Sequence, residues 1–304
     1  MSTQPAILTE GLTKHYGDVK ALIELDLLVE RGEVFGFLGP NGSGKTTMIR
    51  TILDLIRPTA GRSSILGLDS HQDSVEIRNH VGYLPGDLAL YPKLTGRETL
   101  RYFANLRGGV DWDHVDQLAE RLDADLSIRV SDYSSGNRQK VGLIQAFMSQ
   151  PTVLILDEPS TGLDPLVQQE FQEMLREVAA EGRTVFLSSH TLSEVERVAD
   201  RVGIIRHGRL VVVEAVESLK AKAIRRFVFD FAAPMAGDVF TGMDGVHDVV
   251  ADNTRISLSI DGPMKEVLRV AMAHDLVNVE STEADLEEIF LTYYRDSEEE
   301  PVTA

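Results

Sequence analysis

Gly39-Pro40-Asn41-Gly42-Ser43-Gly44-Lys45-Thr46-Thr47 fits G-x-x-x-x-G-K-[ST], a turn whose backbone cradles phosphate groups. Gly39, Gly42 and Gly44 allow conformations closed to other residues, so successive N–H groups can turn inward around phosphate oxygens. Lys45 brings a point charge to the β- and γ-phosphates, and the Thr46 hydroxyl can ligate Mg²⁺. Pro40, Asn41, Ser43 and Thr47 complete the binding turn. The flanks suit the loop. Glu33-Val-Phe-Gly-Phe-Leu38 reads as a short buried strand, and Met48, Ile49, Ile52, Leu53 and Ile56 recur at helical spacing after it. The loop therefore feeds a helix whose positive N-terminal end faces the phosphates. The stretch predicts binding of a nucleoside triphosphate.

Composition bounds the rest. A chain of 304 residues can build two domains and a sizeable core. It has no cysteine, which excludes a disulfide framework and Cys-based zinc sites. No apolar run approaches the roughly 18–20 residues of a membrane span, and the N-terminus lacks a signal peptide's charged-then-apolar pattern. A soluble, unexported protein is expected. The formal net charge of -18 argues against nucleic acid as the main partner and against a polybasic membrane anchor. Work at a membrane would need a protein partner there.

Upstream of the loop, Ala6–Glu10 and Ala21–Val29 look like strands. Between them lies Tyr16 beside Gly17, either ordinary surface or an aromatic that stacks on a base. Downstream, the chain is mainly helical from about residue 88 to 148. Thr95-Gly-Arg-Glu98 is a capping box opening one helix, and Trp112 to Leu122 shows a second periodicity. Tyr133-Ser-Ser-Gly-Asn-Arg-Gln-Lys140 opens a third, which Pro151 stops.

Val153-Leu-Ile-Leu156 is continuously apolar, as in a strand buried on both faces of a parallel sheet, and it ends in Asp157-Glu158-Pro159. Two carboxylates at that position are costly unless something needs them. Ligands bind at the carboxyl edge of open α/β sheets. Asp157 can hold Mg²⁺, and Glu158 can accept a proton from water attacking the γ-phosphate. Asp164-Pro165 starts the next helix as N-cap and first-turn residue. Thr184–Ser189 reads as another buried strand, delivering His190 to the same edge. A lone histidine is more often structural; its arrival beside Asp157 favours the site. Val202–Arg206 and Arg209–Val213 predict a hairpin around His207-Gly208.

In this order the motifs resemble the ATP-binding subunit of an ABC transporter, over about residues 5 to 220. Tyr16 is similar to the family's adenine-stacking aromatic, Gly39–Thr47 to its phosphate loop, and Tyr133–Lys140 to its signature motif. Val153–Pro159 resembles the strand of the Mg²⁺ ligand and general base, Ser160-Thr-Gly-Leu-Asp164 the dimer-contacting loop, and His190 the switch histidine. The resemblance implies an α/β fold: a P-loop NTPase (RecA-like) core with an antiparallel β subdomain and an inserted helical subdomain. It further implies ATP and Mg²⁺ as cofactors, with Thr46 and Asp157 on the metal and Lys45, Glu158 and His190 in catalysis. Two cassettes, a homodimer or a pair, would sandwich two ATP molecules, so that Ser134, Ser135 and Gly136 complete the partner's site in trans. A separate integral membrane permease would hold the cytoplasmic subunit at the inner face of the membrane. Ser135 stands where the family usually has Gly, Asn137 where it has Gln, and Gly86 where it has a Mg²⁺-reaching glutamine. Water or the neighbouring Asp87 would take that last role.

Beyond the cassette, Phe227, Phe229 and Phe231 alternate as in a half-buried strand. A short helix over Met235–Thr241, strands over Val246–Ala251 and Arg255–Ile260, a helix over Pro263–Ala273, a strand over Leu276–Glu280 and a last helix over Ala284–Tyr294 follow. That β-α-β-β-α-β order predicts a small ferredoxin-like α+β domain. The patterns thus divide the chain into a cassette (1–220, helical subdomain about 88–148), an accessory domain (221–296) and an acidic, disordered tail (297–304). Similar C-terminal additions accompany cassettes of drug-, antibiotic- and polysaccharide-exporting permeases. Translation and DNA-maintenance ATPases share the cassette. One phosphate loop, no inserted heptad run and no basic patch disfavour them, and the signature motif disfavours a P-loop kinase.

Overall fold

Alternating patterns near the N-terminus and continuous apolar runs from Val34 onward become two different sheets. The computed structural model of the protein describes residues 4–222, 225–260 and 264–282. The expected last helix (284–294) and acidic tail (297–304) lie outside the described residues. The chain divides into two compact units, 1–216 and 217–304.

In the first unit, β1 (Ile7–Tyr16) and β2 (Val19–Val29) form a hairpin, followed by β3 (Val34–Leu38) and α1 (Lys45–Ile52). Then come β4 (Ala60–Ile65), β5 (Leu68–Asp69), α2 (Ser74–His80) and β6 (Val81–Leu84). Helices α3 (Gly96–Leu106), α4 (Trp112–Arg121) and α5 (Ser135–Phe147) precede β7 (Val153–Asp157) and α6 (Pro165–Ala180). The unit closes with β8 (Thr184–Ser189), α7 (Leu192–Glu196), β9 (Arg201–Arg206) and β10 (Arg209–Ala215).

One sheet is antiparallel, in the order β2-β1-β4-β5. The other runs β10-β9-β3-β8-β7-β6 and is parallel except for its edge strand β10. Every residue of β3, β7 and β8 is buried, as expected of strands covered on both faces. Phe186 of β8 packs between Phe35 and Phe37 of β3, with ring centroids 5.8 and 5.4 Å away. Register then sets the site. Leu38 pairs with Ser189 and Asp157 with Ser188, so the phosphate loop, the two acids and His190 leave the sheet at one edge.

Local signals hold where their partners are local. Thr95 and Glu98 make the reciprocal capping box of α3. Asp164 caps α6 by accepting from the Val167 amide at 3.0 Å, and Gly182 follows its end at φ +80°. His207 and Gly208, both at positive φ, form the turn of the β9–β10 hairpin. Two expectations shift. β1 does not stop at Glu10; Gly11 (φ +56°) and bulges against β2 absorb the irregularity and pairing continues to Tyr16. α1 ends at Ile52, and Asp54 turns left-handed (φ +55°), so Ile56 lies beyond the helix.

α8 (Val216–Lys222) starts on the last residue of the first unit and carries the chain into the second. The second unit then builds β11 (Arg225–Phe231), β12 (Val246–Asp252), β13 (Arg255–Ile260), α9 (Lys265–Met272) and β14 (Leu276–Thr282). Its sheet order is β12-β13-β11-β14, antiparallel throughout. Phe227, Phe229 and Phe231 bury together with Val267 and Ala271 of α9. The expected helix over Met235–Thr241 is instead a three-residue 3₁₀ turn, Gly237–Val239. Phe240 explains the difference: its ring stacks on Phe229 at 5.8 Å, so one buried aromatic closes the crossover without a helical face.

Candidate active site

The phosphate loop is shaped by close backbone approach. A side chain at Gly39 would lie 2.5 Å from the Ile205 carbonyl and from Ser43 Oγ. Gly44 (φ +115°) would place a Cβ 2.6 Å from the Ala21 carbonyl, so the β1–β2 hairpin packs directly behind the loop. Lys45, only 5% exposed, donates to the carbonyls of Gly39 at 2.6 Å and Pro40 at 3.3 Å. The Ser43 hydroxyl is buried without a hydrogen-bond partner. A buried cation held by carbonyls, beside an orphaned hydroxyl at a helix N-terminus, is a donor set that fits phosphate.

At the carboxyl end of β7, Asp157 is fully buried. Thr46 Oγ1 donates to its Oδ2 at 2.8 Å and Ser188 Oγ to its Oδ1 at 2.5 Å. A hydroxyl and a carboxylate together offer the hard oxygens that Mg²⁺ takes, and Mg²⁺ sites use few protein ligands beside substrate phosphates and water. Glu158 follows in the left-handed region (φ +52°), where a non-glycine residue carries strain. Its Oε1 faces Lys45 Nζ at 3.2 Å as a charge contact, without hydrogen-bond geometry. Its Oε2 meets His190 Nδ1 at 2.7 Å. Lys45, Glu158 and His190 thus form one unbroken row, running from the buried loop to a half-exposed imidazole.

Gly86 sits beside this row: a Cβ there would be 3.2 Å from Asp157 Oδ2. Asp87 turns elsewhere. Its side chain is 97% exposed and pairs loosely with Arg50 at 3.8 Å. Tyr83, on β6, has its phenol pushed up by burial, with the Asp157 charge adding to the effect.

The structure does not bring Ser134, Ser135 and Gly136 to the phosphate loop of the same chain. They open α5, where Ser134 is the N-cap and accepts from the Asn137 amide at 3.1 Å. Ser135 is already helical, outside the left-handed region, so its side chain costs no backbone strain. Gly136 has no such freedom, because a Cβ would lie 2.7 Å from the Gly162 carbonyl. Asn137 grips the backbone of Asp125 at both ends, accepting from its N–H and donating to its carbonyl, each at 2.9 Å. Tyr16 ends β1 as a 49% exposed residue, with Lys14 Nζ 5.0 Å from the centroid of its ring. It shares a hairpin with Ala21, the residue behind Gly44.

Two supporting residues escaped the sequence reading. Ser188 touches Asp157 and also accepts from the Glu158 amide at 3.3 Å. Gln139, 9% exposed, donates to the Pro159 carbonyl at 2.9 Å. The available signals were a serine pair ending an apolar strand and a glutamine on a helix otherwise buried.

The parallel sheet, the phosphate loop and the acid pair at its edge define a P-loop ATPase cassette. The ABC transporter family matches residues 22–161, and the chain belongs to that family of ATP-hydrolysing, ATP-binding proteins. It is 40% identical over 222 residues to the daunorubicin resistance ATP-binding protein DrrA3 of Streptomyces coeruleorubidus, spanning 71% of this chain and 70% of that one. It is 37% identical over 233 residues to the bacitracin transport ATP-binding protein BcrA of Enterococcus faecalis, spanning 76% of each. Among solved structures, an ATP-binding subunit of an ABC transporter superposes with a TM-score of 0.65 at 31% identity, over 71% of this chain and 92% of that one.

Proposed function

We propose that this chain is the ATP-hydrolysing subunit that powers a separate membrane permease, exporting a drug, antibiotic or other hydrophobic or polymeric substrate. The row Lys45–Glu158–His190 at 3.2 and 2.7 Å carries the enzymatic part. The names of the daunorubicin- and bacitracin-related proteins support the export part, and nothing among them supports translation or DNA maintenance. No helix among the described residues is long and apolar enough to cross a membrane. In this reading a separate partner chain supplies the passage, with this subunit at its cytoplasmic face.

Each residue then has a task. Tyr16 stacks on adenine, and Gly39–Thr47 wraps the phosphates. Thr46 and Asp157 would hold Mg²⁺, which when bound would offset the phosphate charge. With Gly86 in place of a longer side chain and Asp87 turned to Arg50, neither residue would offer the metal a side-chain ligand beside Asp157. Once phosphate draws Lys45 away, Glu158 accepts the proton of the attacking water, held at Oε2 by His190. Ser134, Ser135 and Gly136 meet the nucleotide held by a second cassette.

Co-purification from detergent-solubilised membranes tests the assembly. Recovery of a polytopic membrane protein is the expected result. Recovery of ribosomes or DNA in its place would overturn the proposal.

A further inference from the structure

The strained Glu158 peptide is gripped from two sides. On its N-terminal side, the Glu158 amide donates to the Ser188 carbonyl at 3.2 Å and to Ser188 Oγ at 3.3 Å. On its C-terminal side, Gln139 Nε2 donates to the Pro159 carbonyl at 2.9 Å and approaches the Glu158 carbonyl at 3.4 Å. Proline has no N–H; the Thr161 amide donates to the Glu158 carbonyl at 3.3 Å, and the Gln139 amide is the side-chain donor that meets the Pro159 carbonyl.

Gln139 lies one helical turn, about 5.4 Å of rise, beyond the anion-facing start of α5. The same face of that helix makes two further contacts with the loop after Glu158. Gly136 abuts the Gly162 carbonyl, and Lys140 Nζ approaches Asp164 Oδ2 at 3.8 Å. Positions 136, 139 and 140 share a face by helical spacing. A push or pull on the first turn of α5 therefore reaches the backbone that carries Glu158 chiefly through the 2.9 Å Gln139–Pro159 hydrogen bond.

We infer that Gln139 is a positioning residue for Glu158, and that through it α5 couples the two sites of a cassette pair. The turn touching the partner's nucleotide also sets the general base of its own chain. The in-trans part rests on the reading of Ser134–Gly136 given above. Occupancy of one site would thereby raise the fraction of Glu158 correctly held at the other, which is positive cooperativity transmitted by one buried amide.

The test compares full-length wild type with Gln139→Met, which keeps the volume but loses the donor, and with Gln139→Glu, which keeps the shape but cannot donate when ionised. Both are expected to lower kcat about tenfold, to keep nucleotide affinity and melting temperature near wild type, and to reduce the Hill coefficient toward one. A Gln139→Met protein with wild-type kcat, or one whose affinity and melting temperature fall in step with kcat, would overturn the inference. Glu158→Gln assayed in parallel separates the failures. Turnover in that variant would remove Glu158 as the base, whereas an inactive Glu158→Gln beside a fully active Gln139→Met would sink only the role of Gln139.

Discussion

Two helix N-termini do the work of this cassette, and they are finished differently. α1 starts behind Gly44, which gives it no side-chain cap, so its first N–H groups have no local acceptor. α5 starts behind Ser134, whose hydroxyl satisfies the Asn137 amide, while Asn137 and Tyr133 fasten the turn to Asp125. The uncapped end is surrounded by buried groups that face inward: Lys45, the Ser43 hydroxyl and Asp157. The capped end is self-sufficient, with Ser134 and Ser135 exposed. In the function proposed above, one end is completed by a ligand and the other completes the site of a second cassette.

Four substitutions probe that contrast. Lys45→Met should have the largest effect, lowering kcat/KM by about 10²–10³-fold, because it removes the one buried cation at the uncapped end; steady-state hydrolysis reads it. Gly136→Ala should come next. Its Cβ would press on the Gly162 carbonyl, and displacement of the signature turn should cost up to about 10²-fold in turnover. Binding of ATP by the isolated subunit, followed by fluorescence, should persist because α1 is untouched. Asn137→Ala should remove two backbone hydrogen bonds at a part-exposed position, costing about 1 kcal/mol and lowering the melting temperature by about 2–4 °C. Asp87→Ala should be silent, with hydrolysis and its Mg²⁺ dependence unchanged; a weakened Mg²⁺ response would place Asp87 in the metal site.

What the sequence disclosed followed from how local each signal is. The phosphate loop, the Thr95–Glu98 capping box and the Asp164-Pro165 helix start each depend on a single short run of sequence, the longest being Gly39–Thr47. The apolar runs of β3, β7 and β8 declare their burial without naming neighbours. Ser188 and Gln139 were invisible as supports of Glu158 because they meet it across 30 and 19 positions of chain. Sheet register and helix docking, absent from any window of sequence, bring them there. Strain at Glu158 was hidden likewise, since nothing in Asp-Glu-Pro announces a left-handed φ. In the second unit, the alternating Phe227, Phe229 and Phe231 gave their strand away. Phe240 did not reveal that it would plug the crossover in place of a helix.

The central claim is that the phosphate loop is half of a site and that a second copy supplies the other half. The mass in solution of Glu158→Gln with Mg-ATP tests this most directly, since general-base loss should slow turnover by about 10²–10⁴-fold and preserve the nucleotide. The expected result is a dimer that forms with ATP, dissociates with ADP and is abolished by adding Gly136→Ala. A monomer with ATP bound and wild-type turnover would contradict it.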